Sequence, residues 1–121
     1  MKDPLFFYPA NYVDGFNRPK EFIMCEAPMD NVPGKDNNIS EFWRMVWETK
    51  SPLIVCGSPF TEYNSEKVAQ YFPVNVGLSL EFYPYKVEFV RVESQEKTFS
   101  KILKLINVIQ YFLSIILKFL N

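Results

Sequence analysis

Cys25 and Cys56 are the two side chains of this protein best suited to covalent chemistry, because a thiolate is a strong nucleophile once something lowers its pKa. Neither has the neighbours for that. Cys25 precedes Glu26, whose carboxylate disfavours a second negative charge, and Cys56 ends the apolar run "PLIVC". Both read as small hydrophobic residues. The chain has no histidine, which removes the commonest general base at neutral pH, the usual zinc ligand and every Ser-His or Cys-His dyad. Asp30, Asp36 and Glu41 match no calcium-loop spacing, Asp3 and Asp14 form no recognisable acid pair, and Gly57 and Gly77 stand alone without a phosphate-loop pattern. The residues therefore predict no catalytic group, no cofactor and no metal.

The elements that would position such groups must fit within 121 residues, enough for one small core. Hydrophobic residues make up 48% and aromatics 17%, a composition that folds. Thirteen basic residues against 14 acidic ones leave a net charge of -1, so no basic excess exists to neutralise a nucleic-acid backbone. Two cysteines without CxxC spacing predict reduced thiols and a cytoplasmic protein. The opening "MKDPLFFYPANYVDG" does not read as a secretory signal.

Along the chain, "YPANYVDGF" runs into an Asp14-Gly15 turn, and "EFIMCEAP" predicts a strand over Phe22–Cys25 that ends by Pro28. Residues 29–38 form a loop. Ile39, Phe42, Trp43, Val46 and Trp47 fall at i, i+3, i+4, i+7 and i+8, one face of a helix. Asn38 is placed to cap it, with Glu41 three residues on as in a capping box, and Arg44 to pair with Glu41 or Glu48. "SPLIVCGSP" reads as a buried strand, and "FTEYNSEKVAQYFPVNVG" as a loop. "YKVEFVRVE" alternates through Tyr85, Val87 and Phe89, then slips phase to Val90 and Val92, which predicts a bulge between Phe89 and Val90.

The last quarter reads differently. Ser100, Lys104, Asn107, Tyr111, Ser114 and Lys118 are spaced four, three, four, three, four, the stripe of an amphipathic helix about six turns long. The 13 uncharged residues between Lys104 and Lys118 fall short of the roughly 20 needed to span a bilayer. A membrane surface met through residues 98–120, with Lys101, Lys104 and Lys118 at its border, or a protein partner, fits such a helix. The expected organisation is a domain over 1–97 and a C-terminal helix over 98–121.

"NYVDGFNRPKEFIMCEAP", followed by "ISEFWRMVWE", "PLIVCGS" and "EKVAQYFP", resembles the front half of a protein tyrosine phosphatase domain, with four motifs in the family's order across residues 10–73. The positions that carry the resemblance are Asn11, Tyr12, Asp14, Gly15, Phe22, Ile23, Pro28, Phe42, Trp43, Met45, Trp47, Ile54, Val55, Lys67, Tyr71 and Pro73. It implies an α/β fold: a partial domain with a twisted mixed sheet and flanking helices, lacking half of the parent sheet, so that strands such as Leu53–Cys56 lose neighbours and expose edges. It also implies a strand near residues 99–106, against the helix that the polar stripe favours there.

The family's reaction, phosphotyrosine dephosphorylation, uses a thiolate, an arginine six residues later on the same phosphate, and an aspartic acid in a WPD loop. Six positions beyond Cys25 stands Asn31, and six beyond Cys56 stands Glu62. Neither cysteine fits the nucleophile, and neither the WPD loop nor the family's HCxxGxxR phosphate-binding loop is present. The expectation is a non-catalytic family member that binds a phosphotyrosine protein or another protein partner. The alternatives are an incomplete piece of an active phosphatase, or a small membrane-associated interaction protein held by its C-terminal helix.

Overall fold

A computed structural model describes residues 8–29, 38–56, 70–95, 98–109 and 112–120. In chain order these form β1 (Ala10–Val13), β2 (Phe22–Cys25), α1 (Ile39–Thr49), β3 (Leu53–Cys56), β4 (Ser79–Phe82), β5 (Tyr85–Gln95), β6 (Thr98–Asn107) and β7 (Phe112–Leu120). The expected strands at Phe22–Cys25 and Leu53–Cys56 and the helix from Ile39 stand where composition and period place them.

β1 and β2 make a two-stranded antiparallel sheet, Ala10 opposite Cys25 and Val13 opposite Phe22. Its connection is closed locally: Gly15 donates its N–H to the Arg18 carbonyl at 2.8 Å, and Lys20 donates its own to Asp14 Oδ1 at 2.8 Å. The second sheet has five strands in the order β3-β7-β6-β5-β4, with β3 parallel to β7 and all other pairs antiparallel. The fold is α/β with a mixed sheet, as the resemblance implies.

α1 buries Ile39, Phe42, Trp43, Met45, Val46 and Trp47, the apolar stripe of the sequence with Met45 added. Arg44 Nε donates to Glu48 Oε1 at 3.0 Å, one turn on. Asn38 occupies the N-cap position, but its side chain does not cap. Its Oδ1 instead accepts the Met29 N–H at 2.8 Å, and its own N–H reaches the Met29 carbonyl at 3.3 Å. Asn38 thus clamps the chain arriving from β2 to the start of the helix, and the capping box is replaced by a longer-range contact. Lys50 ends the helix in the left-handed region, at φ 53°.

The helix expected over 98–121 is not there: this stretch is the hairpin of β6 and β7 at the centre of the larger sheet. A series spaced four, three, four, three, four is symmetric about its middle, and an antiparallel hairpin also pairs residues symmetrically about its turn. Ser100 therefore faces Lys118, and Lys104 faces Ser114. The strands follow from β-branched content, with Ile102, Ile106, Val108, Ile109, Ile115 and Ile116 in one stretch. Asn107 makes the turn, its Oδ1 accepting the Ile109 N–H at 3.0 Å. The helical anchor of the membrane alternative is lost with the helix, and no described helix is long and apolar enough to cross a membrane.

The bulge lies where the phase slips. Phe89 pairs with Leu103 and Arg91 with Ile102, leaving Val90 as the extra residue. Tyr85, Val87 and Phe89 are buried, whereas everything from Val90 to Gln95 is exposed, so the second half of β5 runs out beyond the core instead of presenting a new apolar face. Leu103, Leu105 and Leu117 fill the centre of the sheet against this first half. Ser79–Phe82 was not legible as a strand, although Leu80 and Phe82 alternate with polar residues ahead of Tyr83-Pro84.

Leu105 is fully buried in a strand paired on both sides, so Leu105→Ala should lower unfolding free energy by about 2–5 kcal/mol. Ile109, 69% exposed in the adjoining turn, should change it by no more than about 0.5 kcal/mol when cut to alanine. Urea midpoints of the two variants check this.

Candidate functional site

The most densely connected group of described side chains lies under α1. Trp43 is completely buried and donates its indole N–H to the Tyr71 carbonyl at 3.0 Å. Phe42 stands edge-on to Trp43 (ring centroids 5.1 Å apart), to Tyr71 (5.1 Å) and to Tyr8 (5.4 Å). These are the offset, tilted contacts that aromatic quadrupoles favour. Tyr8 donates its hydroxyl to the Glu26 carbonyl at 2.7 Å, which fastens the chain before β1 to the chain after β2. Tyr71 places its hydroxyl 3.6 Å from Cys56 Sγ at the end of β3.

Many of the positions singled out from the sequence converge here. Phe42, Trp43, Met45, Trp47, Tyr71, Pro28 and Pro73 are buried, with Ile23 and Ile54 packed against that core. Asn11, Tyr12, Asp14, Gly15 and Phe22 belong to the β1–β2 hairpin, where Lys20 Nζ sits 5.2 Å from the centre of the Tyr12 ring. Val55 is 52% exposed on β3. Lys67 lies outside the described residues. Those that are buried pack in the core around α1.

The structure adds Lys101, which was expected as a border charge. It is 6% exposed, and its ammonium lies 4.7 Å from the centre of the Phe72 ring and 5.1 Å from that of Phe89. Burial lowers its pKa, against a smaller upward pull from Cys56. It shares the buried face of β6 with Leu103 and Leu105, a place the helical reading hid. The part played by Tyr8 was also missed, although the aromatic run before Pro9 was its signal.

The two thiols differ: Cys25 is exposed and Cys56 is buried. The Cys25 pKa is raised, first by desolvation, then by Cys56 and Glu26. Cys56 is 4% exposed. Arg44 is engaged with Glu48, and Arg91 with Glu93 at 3.0 Å. Between β2 and β3 runs a cleft of about 270 Å³ over Phe42, Met45 and Val46. It continues past Lys50 and Pro52 into a wider opening of about 800 Å³. The narrow part is lined by apolar side chains with Cys25 and Ser51, and the wide part adds Arg18, Lys20, Glu21, Glu48 and Lys50.

A family model for protein-tyrosine phosphatases matches residues 1–111. The chain belongs to the protein-tyrosine phosphatase family. Tyrosine-protein phosphatase 69D of Drosophila melanogaster is 34% identical over 99 residues, 82% of this chain and 6% of that protein. Receptor-type tyrosine-protein phosphatase C of Mus musculus is 38% identical over 64 residues, 53% of this chain and 4% of the relative. Receptor-type tyrosine-protein phosphatase epsilon of Homo sapiens is 39% identical over 64 residues, 53% of this chain and 8% of its own length. The chain thus spans less than a tenth of each of these relatives.

In this member of the phosphatase family, Trp43→Phe keeps the ring and removes the donor, leaving a buried carbonyl of Tyr71 without its indole partner. The expected loss is about 1–3 kcal/mol of unfolding free energy, read from denaturant midpoints. Stability should also fall as pH rises above the ordinary thiol value of 9.0 and phenol value of 10.0. Cys25, Tyr8 and Tyr85 keep their protons longer when folded than when unfolded, so the unfolded chain is favoured as pH climbs through that window. Lys101, lowered in the fold, contributes the opposite slope as pH approaches 10.5. Cys25→Ser should flatten the onset near 9.0, and Lys101→Met should steepen the fall near 10.5.

Proposed function

We propose that this chain serves phosphotyrosine signalling as a binding or regulatory member of its family and carries out no dephosphorylation itself. The observation that carries this reading is the state of its thiols. Neither Cys25 nor Cys56 has an arginine six residues on, and Cys56 is buried beside Tyr71. What the chain retains of the domain is its aromatic core and edge strands, which suit recognition of a phosphotyrosine protein or of another protein partner. Two free thiols accord with a cytoplasmic setting. A second reading, that the chain is part of an active phosphatase completed by further polypeptide, is favoured by β2 and β3 each pairing on one side only among the described residues.

Incubating the purified chain with a phosphotyrosyl peptide, and reading released phosphate and bound peptide from one sample, tests both. Binding that requires the phosphate, with no release above buffer, is the expected result. Phosphate release, whether or not it survives Cys25→Ser with Cys56→Ser, overturns the non-catalytic reading.

A further inference from the structure

The tyrosines of this chain are placed very differently from one another. Tyr8, Tyr71 and Tyr85 are 3%, 2% and 5% exposed. The Tyr8 hydroxyl donates to the Glu26 carbonyl, the Tyr71 hydroxyl lies 3.6 Å from Cys56 Sγ, and the Tyr85 ring packs against Trp47. Tyr12 is half-buried, with Lys20 Nζ over its ring. Tyr83 differs from all of these, because it is 76% exposed. Tyr63 and Tyr111 lie outside the described residues.

The fold fixes Tyr83 in that position. It stands at the turn between β4 and β5, where Phe82 pairs with Tyr85. Phe82 packs against the core, and the Pro84 carbonyl accepts the Val108 N–H at 3.0 Å. Both neighbours of Tyr83 are therefore held, and its phenol is carried on the outside of a fixed turn. The chain leading into the turn is accessible too. Residues 74–79 are exposed throughout, and so is Glu81, two positions before Tyr83.

We propose that Tyr83 is a phosphorylation site, the acceptor for a protein tyrosine kinase that uses a nucleoside triphosphate. The phenol oxygen attacks the γ-phosphorus, and a new P–O bond forms as the bond from that phosphorus to the β–γ bridging oxygen breaks. The nucleoside diphosphate leaves, and the phenol proton passes to a base of the kinase. This chain's part in the step is access. A kinase must draw the acceptor ring into its own cleft, and a buried tyrosine can reach it only through local opening. Tyr83 requires no opening of the core. Glu81 adds an acidic residue beside the acceptor, a charge that a basic substrate groove recognises. The product carries roughly 1.5 to 2 negative charges at neutral pH. Those charges stay outside the core and present a phosphotyrosine to any partner that reads one. The chain is then a target of phosphotyrosine signalling, a role that does not require it to bind phosphotyrosine itself.

The test incubates the full folded chain with a broad-specificity tyrosine kinase and magnesium ATP, and follows each tyrosine by peptide mass spectrometry. Tyr83 should be modified about tenfold or more faster than Tyr8, Tyr71 or Tyr85, because opening must precede transfer at the buried rings. Tyr83→Phe should remove that phosphopeptide and leave the urea midpoint unchanged. A synthetic peptide of residues 76–88, treated alongside, reports whether the kinase accepts the local sequence. Modification of a buried tyrosine in the folded chain at the rate of Tyr83 overturns the proposal. So does transfer to the peptide but not to the chain, which would mean that the fold hides the acceptor. Failure of both chain and peptide overturns it as well, since the local sequence is then no kinase substrate.

Discussion

Burial of the aromatic face of α1 is the constraint on which the rest of this molecule depends. The helix is 11 residues long, too short to persist in water on propensity alone, so its stability must come from what it packs against. That packing reaches in several directions. Trp43 bonds to the chain at Tyr71, Phe42 meets Tyr8 ahead of β1, and Trp47 lies 6.1 Å from the Tyr85 ring of β5. Two separate sheets and the segment between β3 and β4 are thus referred to one helix. The polar groups in this region are matched as carefully as the rings. Asn38 serves Met29, the Tyr8 hydroxyl serves Glu26, and among the described residues no fully buried side-chain nitrogen or oxygen lacks a partner.

What was legible in the sequence follows from the strength of each physical signal. The helix was legible because five apolar residues at helical spacing have no good strand arrangement, and β2 and β3 because short β-branched runs stop at proline or glycine. The bulge at Val90 was legible because strand period is so short that a single slip inverts every later side chain. The hairpin of β6 and β7 was misread for a specific reason: a polar series symmetric about its centre satisfies a helix and a hairpin equally. Two features could have separated them. Asn107 is a turn former with Val108 and Ile109 following, and six β-branched isoleucines and valines crowd into that stretch. The resemblance pointed to a strand there, and the family constraint was the better guide.

The same comparison explains why site residues were harder to place than elements. Periodicity says which face a residue lies on but not what closes over it. Lys101 reads as a border lysine, yet its place on the Leu103 and Leu105 face of a central strand carries its ammonium between Phe72 and Phe89. Of the two thiols read as small hydrophobic residues, Cys56 is buried and Cys25 is exposed. The Cys25 pKa is raised first by desolvation and only lastly by Glu26, so the neighbouring carboxylate is the smaller part of the effect.

Edge strands normally carry a defence, such as a charge pointing inward, a proline or a covering segment. β4 at one margin of the large sheet has Glu81 and the Tyr83-Pro84 turn beside it. At the other margin β3 has proline before it but only apolar side chains within, Leu53, Ile54, Val55 and Cys56, and β2 is likewise uncharged from Phe22 to Cys25. Uncharged runs such as these are what a sheet interior carries, so neither strand has the composition of a margin.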